Sequence, residues 1–212
     1  MSPLPAPLSL TALQEALGDT DIYLIDQLLK GRLRPEMRVL DAGCGAGRNL
    51  RCLLQAGVAV YGADKDGEAI GKVREWARLL APTLPEGNFR QETVEEMSFG
   101  KDFFDFVISS AVLHFAQDEP HFEQMLDRMW EVLKPNGILF CRLASSIGLE
   151  EHLHWVEGRH FHLPDGSTRF LVDEAFLLHH TTRLQGIQIE PIKTVNVQNL
   201  RCMTTWCLQK PG

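Results

Sequence analysis

Between Ser9 and Leu33, apolar residues recur at helical intervals: Leu10, Leu13 and Leu17, then Ile22, Ile25, Leu28 and Leu29. That spacing lines one face of a helix. The break Gly18-Asp-Thr-Asp21 divides the run in two, with Thr20 or Asp21 as N-cap of the second helix. Three prolines within residues 1–8 predict a loose arm before it. After Arg34-Pro35 the period changes. Arg38-Val-Leu-Asp41 reads as a short buried strand, Gly43-Cys-Gly-Ala-Gly47 as a glycine turn, and residues 49–56 as a helix stopped by Gly57. Val58–Ala63 is a second strand. Ile70, Val73, Trp76, Ala77 and Leu80 share one face of a helix over 67–80. Strands are expected near Phe89-Arg90 and at Phe104–Ile108, a helix over 119–133, and a strand at Ile138–Leu143.

The strand–helix alternation predicts an α/β fold: a doubly wound, mostly parallel seven-stranded sheet with helices on both faces. The end of the chain differs. A hairpin around Asp165-Gly166, a helix from Asp173 to about Leu184, and strands near 187–195 and 200–208 make the last strand antiparallel. No linker or internal repeat divides residues 1–212, so a single domain is expected.

Composition narrows the class. A chain of 212 residues, 44% hydrophobic and 23% charged, suits one globular core. No apolar run reaches the roughly 18–20 residues that span a bilayer. The start Met1-Ser-Pro-Leu-Pro-Ala-Pro7 lacks a secretion signal, so the cytoplasm is expected and no membrane partner. The five cysteines contain no C-x-x-C pair and read as reduced thiols. A net charge of −7, with 21 scattered Lys and Arg residues, argues against a nucleic-acid partner.

The chemistry concentrates at Val39-Leu-Asp-Ala-Gly-Cys-Gly-Ala-Gly47. A strand ending in an acid runs through glycines into a helix, whose free N–H groups favour an anion. The spacing is G-x-G-x-G. Arg48 stands where a dinucleotide fingerprint would place its third glycine, which disfavours an NAD-dependent oxidoreductase. Tyr61-Gly-Ala-Asp64 then sets a carboxylate at the edge of the second strand, suited to both hydroxyls of a ribose.

Together with Phe104-Asp-Phe-Val-Ile108 and Leu133-Lys-Pro-Asn-Gly-Ile-Leu139, these segments resemble the successive motifs of class I S-adenosylmethionine-dependent methyltransferases over residues 37–143. Cys44–Asn49 and the ending Asn199–Trp206 also resemble the small bacterial tellurite-resistance-type branch. The resemblance implies S-adenosylmethionine as cofactor and a division of the chain into arm and lid helices (1–33), cofactor-binding core (37–143), cap insertion (144–172) and C-terminal helix with hairpin (173–212). It implies that Asp41 and the Gly43 carbonyl face the methionine amino group, with Cys44 in the same turn and Gly45 beneath the ligand. Asp64 would hold the ribose, with Lys65 beside the adenine. Thr93 and Val94 would meet the adenine edge; Thr93 replaces the family's usual acid, and Glu92 takes that role if the loop is shifted by one. Ser109 and Ser110 would close the floor near the sulfonium, and Tyr23 is a candidate lid contact.

Methyl transfer from a sulfonium needs alignment more than acid–base help. A hydroxyl acceptor would need a base, for which His114 is the candidate. Arg201 suits an anionic acceptor or a surface ion pair, and Arg48 the methionine carboxylate or a partner on its helix. His152, His154, His160 and His162 have no H-E-x-x-H pattern or cysteine pair beside them, so no metal is expected. The expected function is methylation of a small-molecule acceptor. The rival classes are a non-catalytic cofactor-binding module, a protein or RNA methyltransferase, and an NAD-dependent oxidoreductase.

Overall fold

The computed structural model describes residues 9–212, so the arm expected over 1–8 lies outside the described residues. Helices α1 (Leu10–Leu17) and α2 (Ile22–Leu29) open the chain. Ser9 caps α1 through the Ala12 N–H, and Asp21 caps α2 through the Tyr23 N–H. Five elements then alternate: β1 (Arg38–Ala42), α3 (Arg51–Gln55), β2 (Ala59–Asp64), α4 (Gly67–Leu80) and β3 (Phe89–Gln91). Strand β4 (Phe104–Ser110), α5 (Glu119–Val132) and β5 (Leu133–Ser145) complete the parallel half. Helix α3 starts two residues later than the periodicity suggests, because residues 48–50 remain in the turn that follows the glycines.

The main sheet runs β10-β11-β5-β4-β1-β2-β3, where β10 is Lys193–Val197 and β11 is Arg201–Gln209. Strands β1 to β5 pair in parallel, and β11 is antiparallel to both its neighbours. The strand expected over 187–195 is split into β9 (Ile187–Gln188) and β10, both pairing with β11. Pro191 falls in the gap, where it has no N–H to give a ladder.

Successive side chains of each central strand enter opposite layers. Leu40, Leu139, Cys141 and Leu143 join Phe122, Leu126, Met129 and Leu177 on the α5 side, α6 being Glu174–Arg183. Val39, Ile108, Ile138 and Phe140 join Leu24, Leu53, Ile70 and Val73 on the other. At roughly 2 kcal/mol for each buried aliphatic side chain, these two layers are the main stabilising term.

A second sheet of three antiparallel strands lies between β5 and α6: β6 (His154–Glu157), β7 (His160–His162) and β8 (Thr168–Phe170). The hairpin expected around Asp165-Gly166 joins β7 to β8, and β6 adds a strand that the periodicity left out. At the far edge, Glu190 collects Lys30 at 2.6 Å, Lys193 at 3.0 Å, Arg32 at 3.1 Å and the Gln27 amide at 3.0 Å. This buried carboxylate fastens the C-terminal end of α2 to the segment before β10. Among the described residues, no helix is long and apolar enough to cross a membrane.

Candidate active site

The parallel strands end together, and their C-terminal edge holds two cavities. The turn after β1 begins with Gly43 at φ 78°, where an added Cβ would lie 2.5 Å from Cγ2 of Val112. Gly45, at φ 51°, faces open space instead. The first glycine admits a neighbour and the second leaves room for a ligand. Gly43 and Cys44 donate their N–H groups to the Ala63 carbonyl at 2.8 and 3.0 Å, which locks the turn against β2. Gly45 donates to the Asp64 carboxylate at 2.7 Å. The Cys44 side chain is buried, and burial pushes its thiol well above the usual range, helped by Asp41 and Asp64.

Asp41 is 1% exposed and its Oδ1 has no hydrogen-bond partner among the described residues. Burial pushes its carboxyl up to about 7; Arg48 opposes the shift and Asp64 adds to it. An acid held so close to neutrality is suited to an incoming cation. Thr93 has a buried Oγ1 that is likewise unpartnered. Asp64, Lys65, Thr93 and Val94 line the first cavity, of about 540 Å³, together with Val112, Phe115 and Met125. Asp41, Gly43, Cys44 and Gly45 line neither this cavity nor its neighbour, and of the two orphaned groups Thr93 alone reaches the first cavity.

The second cavity, of about 300 Å³, takes residues from distant parts of the chain. Arg48, His114, Arg142, Asp165, Arg169 and Arg201 line it, with Ala111 in the wall. Ala111 lines the first cavity too. It has φ 63°, which is uncommon for a residue with a Cβ, and it donates its N–H to the Arg142 carbonyl at 2.7 Å. Strained backbone of this kind collects at ligand sites.

His114 is buried in a short 3-10 turn, and its Nδ1 accepts the Ala144 N–H at 3.2 Å. Burial first, then Arg169 and Arg142, lowers it to about 4. It is therefore neutral near pH 7, with its ring proton on Nε2. Ser109 and Ser110 line neither cavity. Ser110 instead donates to Asp21 at 3.3 Å. Asp21 also takes Arg142 at 2.9 Å and lies 3.7 Å from Arg48, while its N–H reaches Asn49 at 3.1 Å. Tyr23 does not line either cavity; the Arg142 guanidinium sits 5.1 Å over its ring.

Asp21, Arg142, Arg169, Asp165 and Ala111 were not among the residues singled out from sequence as contacts. One of them had left a signal: Arg142 is a lone charge inside the buried run Ile138–Leu143. The four histidines of 152–162 spread over the small sheet. His160 Nε2 lies 3.0 Å from the Ala116 carbonyl, and His162 meets Thr168 at 2.6 Å. Among the described residues no three His, Cys, Asp or Glu side chains gather as a metal site.

Residues 40–141 match the family model described as a methyltransferase domain. Trans-aconitate 2-methyltransferase of Deinococcus radiodurans is 33% identical over 115 residues, 53% of this chain and 40% of that protein. Ubiquinone biosynthesis O-methyltransferase of Bradyrhizobium is 28% identical over 169 residues, 73% of this chain and 63% of that protein. The chain thus spans between 40% and 63% of these curated relatives. Among solved structures, Burkholderia thailandensis 1,6-didemethyltoxoflavin-N1-methyltransferase, with bound 1,6-didemethyltoxoflavin and S-adenosylhomocysteine, aligns with TM-score 0.65 at 19% identity, covering 99% of this chain and 94% of that one. The match ends at Cys141, so Arg142, the small sheet and β11 lie beyond it.

Proposed function

We propose that this chain transfers the methyl group of S-adenosylmethionine to a small molecule held in the arginine-lined cavity. One observation carries the reading: two cavities, one suited to a nucleoside and one to an acceptor, share Ala111 as a common wall. The names of the relatives, which refer to trans-aconitate, ubiquinone biosynthesis and didemethyltoxoflavin, support an acceptor of small size.

The bound sulfonium supplies a methyl group already activated for in-line displacement. The chain supplies position. Asp64 gives up its bond to the Gly45 N–H and accepts from the ribose hydroxyls. Asp41 ionises against the amino group, and Arg48 faces the carboxylate. Thr93 and Val94 meet the adenine edge, with Lys65 beside it. The small sheet acts as a cap, bringing Leu163, Asp165, Ser167 and Arg169 over the acceptor. Exclusion of water and fixed alignment are then the main contributions to rate.

With Nδ1 engaged by Ala144, His114 acts as a hydrogen-bond donor through Nε2 rather than as a base. That favours an acceptor atom which is already nucleophilic at neutral pH. Calorimetry with S-adenosylmethionine and S-adenosylhomocysteine tests the cofactor, and labelled methyl transfer to a panel of small acceptors tests the reaction. Absence of heat from a folded sample defeats the reading, and tight binding with no transfer to any acceptor returns the chain to the class of binding modules.

A further inference from the structure

Elsewhere in this protein, clustered cations gather around a carboxylate. Glu190 is the example: two lysines and an arginine lie within 3.1 Å of it, and it is buried. The acceptor cavity has more cations than acids, and Asp21 faces just two of them, Arg142 at 2.9 Å and Arg48 at 3.7 Å. Arg48, Arg142, Arg169 and Arg201 all line it, in a chain whose net charge is −7. Asp165 is the single acid in the lining. Its carboxylate already accepts the Ser167 N–H at 2.9 Å and the Ser167 hydroxyl at 2.6 Å.

The arginines are incompletely used. Arg142 gives Nη1 to Asp21 at 2.9 Å, yet its buried Nε has no partner among the described residues. Arg169 gives one N–H to the Thr168 carbonyl at 2.8 Å and lies 4.9 Å over the Phe115 ring. Among the described residues the Arg201 side chain makes no hydrogen bond or ion pair; it is an exposed part of the cavity lining, where it and Arg169 act on Asp165 through their charge alone. Like charges held together in a half-enclosed cleft repel each other, and the field they focus attracts an anion. A sulfonium in the neighbouring cavity would add to that positive potential. Paired guanidinium forks match the planar geometry of a carboxylate. The cavity volume of about 300 Å³ is at the small end for ligand pockets.

We propose that the acceptor is a small carboxylate, gripped by Arg142, Arg169 and Arg201 in the cavity beyond Ala111. Calling this ligand the acceptor rests on the methyltransferase reading; the anion site itself does not. Arg142 also holds Asp21, so its removal would disturb α2, and the test uses the other two arginines. Benzoate, phenylacetate, succinate and glutarate, each beside its matched amide, are titrated into the protein saturated with S-adenosylhomocysteine. The expected result is carboxylate binding about tenfold or more tighter than that of the amides. Arg169→Gln and Arg201→Gln each weaken it about tenfold, with S-adenosylhomocysteine affinity within about twofold of the parent. Failure of every carboxylate to bind, equal binding of acids and amides, or indifference to both substitutions overturns the proposal. If S-adenosylhomocysteine does not bind while arginine-dependent carboxylate binding persists, the methyltransferase reading falls and the anion site stands.

Discussion

The two cavities are built by opposite strategies. The larger cavity is built from the segments that follow β2, β3 and β4, and its lining arrives in chain order between residues 64 and 125. The arginine-lined cavity draws on residues 48, 114, 142, 165–169 and 201, so it exists only after the sheet, the cap and the last strand have assembled. The first can be shared by proteins of many activities because it depends on backbone shape. In the proposed reading specificity is lodged in the second, whose parts lie largely past the segment that matches the family.

The comparison can be broken most severely at the turn. Gly43→Ala places a Cβ against Val112 at a left-handed φ, and should destabilise the protein by about 2–4 kcal/mol in urea denaturation. An unchanged midpoint would mean the turn is not locked as described. Asp64→Ala should lower S-adenosylmethionine affinity about tenfold to a hundredfold by calorimetry, leaving carboxylate binding in the other cavity in place. Equal affinity would remove Asp64 from the ribose.

Smaller effects sharpen the contrast. Asp41 has a carboxyl raised to about 7, so the free protein carries its proton below that pH and an ammonium ligand expels it. Cofactor affinity should therefore rise with pH by up to about tenfold per unit below about 7, then level off. Calorimetry in buffers of different ionisation enthalpy should register the released proton, and Asp41→Asn should abolish it. His114 behaves in the opposite sense. The unfolded chain takes up its proton near 6.5 and the folded one only near 4, so burial of neutral His114 costs stability progressively as pH falls between those values. Between pH 6.5 and 8 the group does not titrate in the folded state, and the transfer rate should show no limb from it, changing less than about twofold on its account. A limb that disappears in His114→Gln would restore it as a base.

What could be read from sequence was local. The helix over 67–80, capped by Asp66, and the strand–turn unit of 38–47 stand where periodicity and glycine spacing placed them, because neighbours along the chain decide those features. Thr93, predicted from motif alignment to meet the ligand, does line the larger cavity. Arg169 and Asp165 were invisible for a physical reason: each is an ordinary polar residue of a hairpin until β5 and β11 bring Arg142 and Arg201 across from it. Asp21 could be recognised as a helix cap, but its bond to Arg142 joins residues 121 positions apart.

Helix α2 is moored at both ends, through Asp21 to Arg142 and through Gln27 and Lys30 to Glu190. To swing it aside, two ionic clasps, one on β5 and one in the segment before β10, must release together. Helix α1, which buries none of its side chains, carries no comparable restraint. Cutting either clasp alone would leave α2 held by the other.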